Sequence, residues 1–117
     1  MLKKAKPLEV GFHAFTYKGE AFSGTIGTFE AVEAVVQFTY DYVENGISVV
    51  GSYTGVRDGD TVDGAWKEQS QKPIEGKTSW QGGALLTVIE SHGRQLLTGT
   101  WTFDTKPSGR WTLDVPA

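Results

Sequence analysis

Leu97-Thr98-Gly99-Thr100-Trp101-Thr102-Phe103, followed by Pro107-Ser108-Gly109-Arg110-Trp111-Thr112-Leu113-Asp114-Val115, decides the fold class. In a strand, residues two apart point to the same face. Gly99, Trp101 and Phe103 therefore share one face, and Thr98, Thr100 and Thr102 share the other. In the second segment Gly109, Trp111, Leu113 and Val115 oppose Arg110, Thr112 and Asp114. Pro107-Ser108-Gly109 between them carries turn residues. The pair reads as two half-buried antiparallel strands.

Both strands contain glycine, any residue, aromatic. The pattern recurs at Gly51-Ser52-Tyr53 and Gly64-Ala65-Trp66. A glycine within a strand costs about 0.5–1 kcal/mol relative to alanine. A tryptophan burying about 150–250 Å² returns several kcal/mol at about 25 cal/mol per Å². Burial wins, so the pairs predict a curved, tightly packed sheet with rings lying over bare backbone. The Gly-x-Trp element resembles that of lipocalin and avidin barrels. Leu97–Phe103 with its Pro-x-Gly turn is similar to strands of small bacterial β-barrel lectins. Both likenesses are architectural and imply a barrel.

Outward from these strands, turns punctuate the chain. Glu44-Asn45-Gly46 holds an Asn-Gly pair, the strongest short hairpin signal, and Asp58-Gly59 and Ser91-His92-Gly93 follow the same logic. The alternation between turns predicts strands over 9–17, 20–27, 31–42, 47–55, 61–68, 84–91, 95–104 and 109–116. Short connections make consecutive strands antiparallel neighbours. About eight strands in such a meander close into an up-and-down barrel, which leaves no exposed edge. A two-sheet β-sandwich is the alternative. Residues 69–83 read as the one long connection, with room for a short strand near Gly76–Trp80. Residues 28–34 read as strand with one helical turn at the start, Thr28 being a possible N-cap.

The 117 residues form a single domain, with residues 1–8 expected as a flexible tail. Fifteen glycines beside 4 Trp, 4 Tyr and 6 Phe point to sheets and turns. A net charge of −3 argues against a general nucleic-acid surface. No apolar run approaches the roughly 20 residues of a membrane helix. Met1-Leu2-Lys3-Lys4 lacks a following apolar stretch, so a cytoplasmic protein is expected, with a mature secreted domain as the alternative. The absence of cysteine removes disulfides, thiolate chemistry and cysteine-based zinc sites. No cofactor motif is present, and nothing indicates a homo-oligomer.

Few residues suggest chemistry. Asp58-Gly59-Asp60-Thr61-Val62-Asp63-Gly64 is the densest acidic stretch, but Val62 breaks the alternation a calcium loop needs and no glutamate closes it. A polar hairpin tip is expected there, and no metal site. His13 lies in the first strand and His92 in a turn, without metal-ligand spacing. Glu33 and Glu90 stand in apolar surroundings, where an inward carboxylate would have a raised pKa. Ordinary alternation instead points both outward. Trp66, Trp101 and Trp111 read as core or pocket lining. Trp80 stands in the glycine-rich stretch Ser79-Trp80-Gln81-Gly82-Gly83, read as a loop lid over one barrel end or an exposed contact.

These readings favour a small non-enzymatic barrel binding a small, partly apolar or sugar ligand in an aromatic interior or mouth. The expected contacts are Trp80, Tyr53, Trp101, Trp66 and His13. One alternative is a protein- or carbohydrate-interaction module using Trp80 and an outer sheet face. Another is a barrel enzyme using His13 with Glu33 or Glu90.

Overall fold

Eight antiparallel strands follow one another around a closed barrel, and the first pairs with the last. A computed structural model describes residues 12–17, 19–103 and 106–116. Strands run β1 Phe12–Tyr17, β2 Glu20–Val32, β3 Val35–Glu44, β4 Ile47–Asp58, β5 Thr61–Ile74, β6 Lys77–Ser91, β7 Arg94–Phe103 and β8 Lys106–Pro116. The barrel expectation holds and the sandwich alternative does not. The expected tail over 1–8, and residues 9–11 of the expected first strand, lie outside the described residues. No helix among the described residues is long and apolar enough to cross a membrane.

Two expectations are corrected. No long connection spans 69–83: β5 continues to Ile74, β6 begins at Lys77, and Glu75-Gly76 turns between them with positive φ at both residues (51° and 82°). Such a pair suits a two-residue hairpin turn. The polar run with Pro73 is a bulge within β5. Gln69 pairs with Ser79 and Ile74 with Lys77, leaving 70–73 out of the β5–β6 ladder. There the Ser70 hydroxyl donates to the Lys72 carbonyl at 2.6 Å. Proline supplies no ladder donor, so a bulge is where a strand can hold one. Residues 28–34 hold no helical turn either. β2 runs through Val32, and Glu33-Ala34 make the turn into β3. The β-formers that follow extend the ladder, and pairing across strands outweighs a possible cap.

Inward and outward residues alternate cleanly, most visibly in β3, where Val36, Phe38, Tyr40 and Tyr42 are buried between exposed neighbours. Side chains directly opposite on paired strands share a face, so the inward residues form rows around the barrel. One row runs Tyr40–Gly51–Glu68–Trp80 across β3 to β6. Another runs Phe38–Tyr53–Trp66–Gly82.

The register explains the glycines. A Cβ on Gly51 would collide with the ring of Tyr40, on Gly82 with the ring of Trp66, and on Gly109 with the indole of Trp101. Each bare backbone is covered by the aromatic of the adjoining strand, not by its own neighbour two residues on. Gly99 meets no ring. A Cβ there would strike the Leu85 carbonyl oxygen, so this glycine allows close approach of backbone to backbone.

The two ends of the barrel differ. Where β2–β3, β4–β5 and β6–β7 connect, Val36, Val62, Leu86, Val88, Leu97, Leu113 and Val115 fill the interior. Midway, Phe38, Tyr40, Tyr53 and Trp111 pack ring on ring, with centroids 4.9–6.0 Å apart. Toward the end holding the β3–β4 and β5–β6 turns, Phe15, Tyr17, Trp80, Trp101 and Phe103 are only half-buried.

Candidate functional site

The site grows from the row Tyr40–Gly51–Glu68–Trp80. Because Gly51 carries no side chain, the Tyr40 ring crosses β4 and places its hydroxyl over β5. That hydroxyl donates to Glu68 Oε2 at 2.7 Å. The Tyr42 hydroxyl, one inward position further along β3, donates to Glu68 Oε1 at 2.8 Å. Each carboxylate oxygen thus accepts one tyrosine O–H inside the barrel.

Glu68 is half-buried, and its environment acts on its proton in opposing directions. Burial pushes the carboxyl above its usual range, the hydrogen bonds from Tyr40 and Tyr42 pull it down, and the Glu44 charge pushes it up again. The net effect is a raised pKa. Burial, reinforced by the Glu68 charge, holds Tyr40 and Tyr42 far above the usual phenol range. Both therefore stay neutral donors to the carboxylate.

Beside Glu68 lies a chamber of about 30 Å³ lined by Phe15, Tyr40, Trp66, Glu68, Trp101 and Trp111. Nearer the rim lies a mouth of about 180 Å³, lined by Tyr17, Trp66, Ile74, Glu75, Lys77, Trp80, Trp101 and Phe103. Trp66 and Trp101 line both spaces, their rings edge-to-face at 5.7 Å. Hydrogen bonds hold them in place. Trp66 Nε1 donates to the Gly83 carbonyl and Trp101 Nε1 to the Thr16 carbonyl, each at 3.0 Å. The Lys77 ammonium stands 5.9 Å over the Phe103 ring at the rim.

The sequence-derived candidates divide as follows. Trp66, Trp80 and Trp101 meet at the mouth. Trp80, however, is a strand residue of β6 paired with Glu68, not a loop tryptophan. Its ring faces inward, half-buried against the core. Among the described residues, no hydrogen bond reaches its indole and no aromatic ring stacks on it. Trp101, read as core or pocket lining, is half-buried and lines both the chamber and the mouth. Tyr53 is buried in the central packing, its hydroxyl donating to the Ala84 carbonyl at 3.0 Å, and it lines neither space. His13 pairs in the ladder with Gly24 and Leu113, and its side chain lies outside the described residues.

Neither glutamate singled out in the sequence reaches the chamber. Glu33 is exposed in the β2–β3 turn with φ at 58°. Glu90 is exposed near the end of β6 and accepts from the Gln95 amide at 3.1 Å. The interior carboxylate is Glu68. A signal for it was present: Gly64-x-Trp66-x-Glu68 continues the inward alternation by one step. The acidic stretch Asp58–Asp63 makes the β4–β5 turn and the outward start of β5. Among the described residues, no three His, Cys, Asp or Glu side chains gather as metal ligands would.

A larger, shallower groove of about 620 Å³ crosses the outside of β3 to β6. Two outward rows line it, Thr39–Ser52–Lys67–Gln81 and Asp41–Val50–Gln69–Ser79. Compared with protein-family models, curated proteins and solved structures, the chain has no match.

Proposed function

We propose that this barrel binds a small, partly apolar ligand at its aromatic mouth, in the manner of a lipocalin-like barrel entered from one end. The observation that carries the reading is the set of tryptophans around the mouth, Trp66 buried and Trp80 and Trp101 half-buried, with a hydrogen-bonded carboxylate beneath them. Apolar walls with a few fixed polar groups are the usual composition of a small-molecule site. Trp66 and Trp101 form walls whose polar atoms are already engaged, while Trp80 offers an unstacked ring and an indole N–H. Titrating the protein with small apolar and sugar ligands tests this through intrinsic fluorescence. Quenching or a spectral shift that Trp80→Ala weakens supports the mouth. A flat response across the panel refutes it.

The outer groove favours a second reading, an interaction module for a sugar or a protein. Polar side chains stand along it, with Asp41, Ser52, Lys67, Gln69 and Gln81 presented outward from adjacent strands beside the exposed Val50. Ser52→Arg would block that groove and leave the mouth untouched, so loss of sugar binding in this variant alone would select the second reading.

A further inference from the structure

We infer that the mouth selects ligands ending in a primary ammonium group, a small alkylamine or arylalkylamine whose –NH3+ head sits against Glu68 and whose tail lies among the mouth tryptophans. The inference rests on the mouth being a ligand site and adds the chemical class.

Three observations lead to it. First, the chamber is lined by five aromatic rings and one carboxylate. Ring faces carry negative potential and attract cations, as does the carboxylate. Among the described residues, no cationic side chain lines the chamber, and Glu44 adds negative charge near Glu68.

Second, the lining offers acceptors rather than donors. The Tyr40 hydroxyl already donates to Glu68, and the indole N–H groups of Trp66 and Trp101 donate to backbone carbonyls. Each Glu68 oxygen accepts one O–H and keeps a further lone pair. An ammonium brings three donors and no acceptor, which complements such a surface. A carboxylate or phosphate head would meet like charge.

Third, the dimensions fix which ammonium. At about 30 Å³ against about 180 Å³ for the mouth, the chamber is the narrower space, so a compact –NH3+ head suits it better than a bulkier quaternary one. The mouth of about 180 Å³ then holds a short apolar tail. Lys77, with its ammonium over Phe103, shows the rim already pairing a cation with a ring.

The test is calorimetric titration of the full chain near neutral pH with four probes: n-butylamine, 1-butanol, butyrate and tetramethylammonium. The expected result is that butylammonium binds at least about tenfold tighter than 1-butanol, with butyrate and tetramethylammonium weaker still. Glu68→Gln should remove the preference for amine over alcohol, whereas Trp80→Ala should weaken both alike. The four-probe comparison uses the native protein and stands even if Glu68→Gln fails to fold. Equal affinity for butylammonium and 1-butanol would overturn the ammonium inference and leave mouth binding intact. Tetramethylammonium binding as tightly as butylammonium would overturn the primary head. No binding by any probe would overturn this inference and the mouth reading together. A lysine side chain carries the same head, so N-acetyl-lysine amide serves as a further arm. If it bound more tightly than butylamine, a protein partner's lysine would replace the free amine and overturn the small-ligand form of the inference.

Discussion

The two ends of the barrel are built from the same strands by different chemistry. At the packed end, the apolar side chains of Val62, Leu86, Leu97, Leu113 and Val115 interlock with almost no exposure. At the open end, rings of similar or greater bulk leave a chamber and a mouth, and they surround a carboxylate. Aliphatic side chains with few rotamers fill space efficiently. Flat rings fixed by their own hydrogen bonds leave gaps between them, and Glu68 beside those gaps is held by the Tyr40 and Tyr42 hydroxyls. One end is packed solid, and the other leaves space around a half-buried carboxylate.

The largest expected effect lies at the packed end. Leu113→Ala removes a fully buried side chain and should destabilise by about 2–5 kcal/mol, read as a lowered denaturation midpoint. Ligand affinity of the folded fraction should not change. If it fell in proportion, the two ends would not be separable.

Gly51→Val sharpens the comparison from the other side. The added side chain collides with the Tyr40 ring and pushes its hydroxyl from Glu68. Overpacking of this kind should cost about 1–3 kcal/mol, measured by chemical denaturation. A near-ultraviolet circular dichroism change from the displaced tyrosine should accompany the loss. An unchanged midpoint would mean that ring and glycine do not meet.

Trp80→Ala should cost less than the roughly 3–5 kcal/mol of a fully buried tryptophan, because Trp80 is half-buried and stacks on no other ring among the described residues. Its main effect should be on binding. A stability loss as large as that of Leu113→Ala would move Trp80 from the site into the core.

The smallest effect is a pH dependence. Glu68 titrates higher in the folded barrel than in the unfolded chain, so the folded state holds its proton more tightly. The stability this group contributes is complete below the ordinary glutamate value of 4.5 and is lost as pH rises through the folded value. Denaturation midpoints should therefore decline over that window, and Glu68→Gln should flatten the decline. An ammonium ligand should oppose it by pairing with the ionised form.

The closed meander was legible in the sequence, the division between its ends was not, and the failures have physical causes. Alternation around Gly99-x-Trp101 and Gly109-x-Trp111, with the Asn45-Gly46 turn, was enough to give a closed meander, because period-two burial leaves little freedom in register. Trp80 was misplaced because Gln69 to Pro73 looks like loop. A bulge that absorbs a proline inside a strand has no local signature, and Glu75 supplies a positive φ usually left to Asn or Gly. The contacts between rings and glycines were anticipated, but their partners were not. Which strand lends the ring depends on the stagger between strands, and residue order within one strand does not encode it. Glu68 was readable as an inward residue from Trp66 two positions earlier. What sets it apart, two hydroxyls arriving from β3 with that of Tyr40 passing over Gly51, required the register.

The most direct test follows the four tryptophan indole and backbone amide signals in a proton–nitrogen correlation spectrum during titration with n-butylamine. Binding at the open end predicts shifts for the indole signals of Trp80, Trp66 and Trp101 and for the amide of Glu68, with Val62, Leu86 and Leu113 unmoved. Shifts confined to Thr39, Ser52, Lys67 and Gln81 on the outer face, or spread over the packed end, would contradict it.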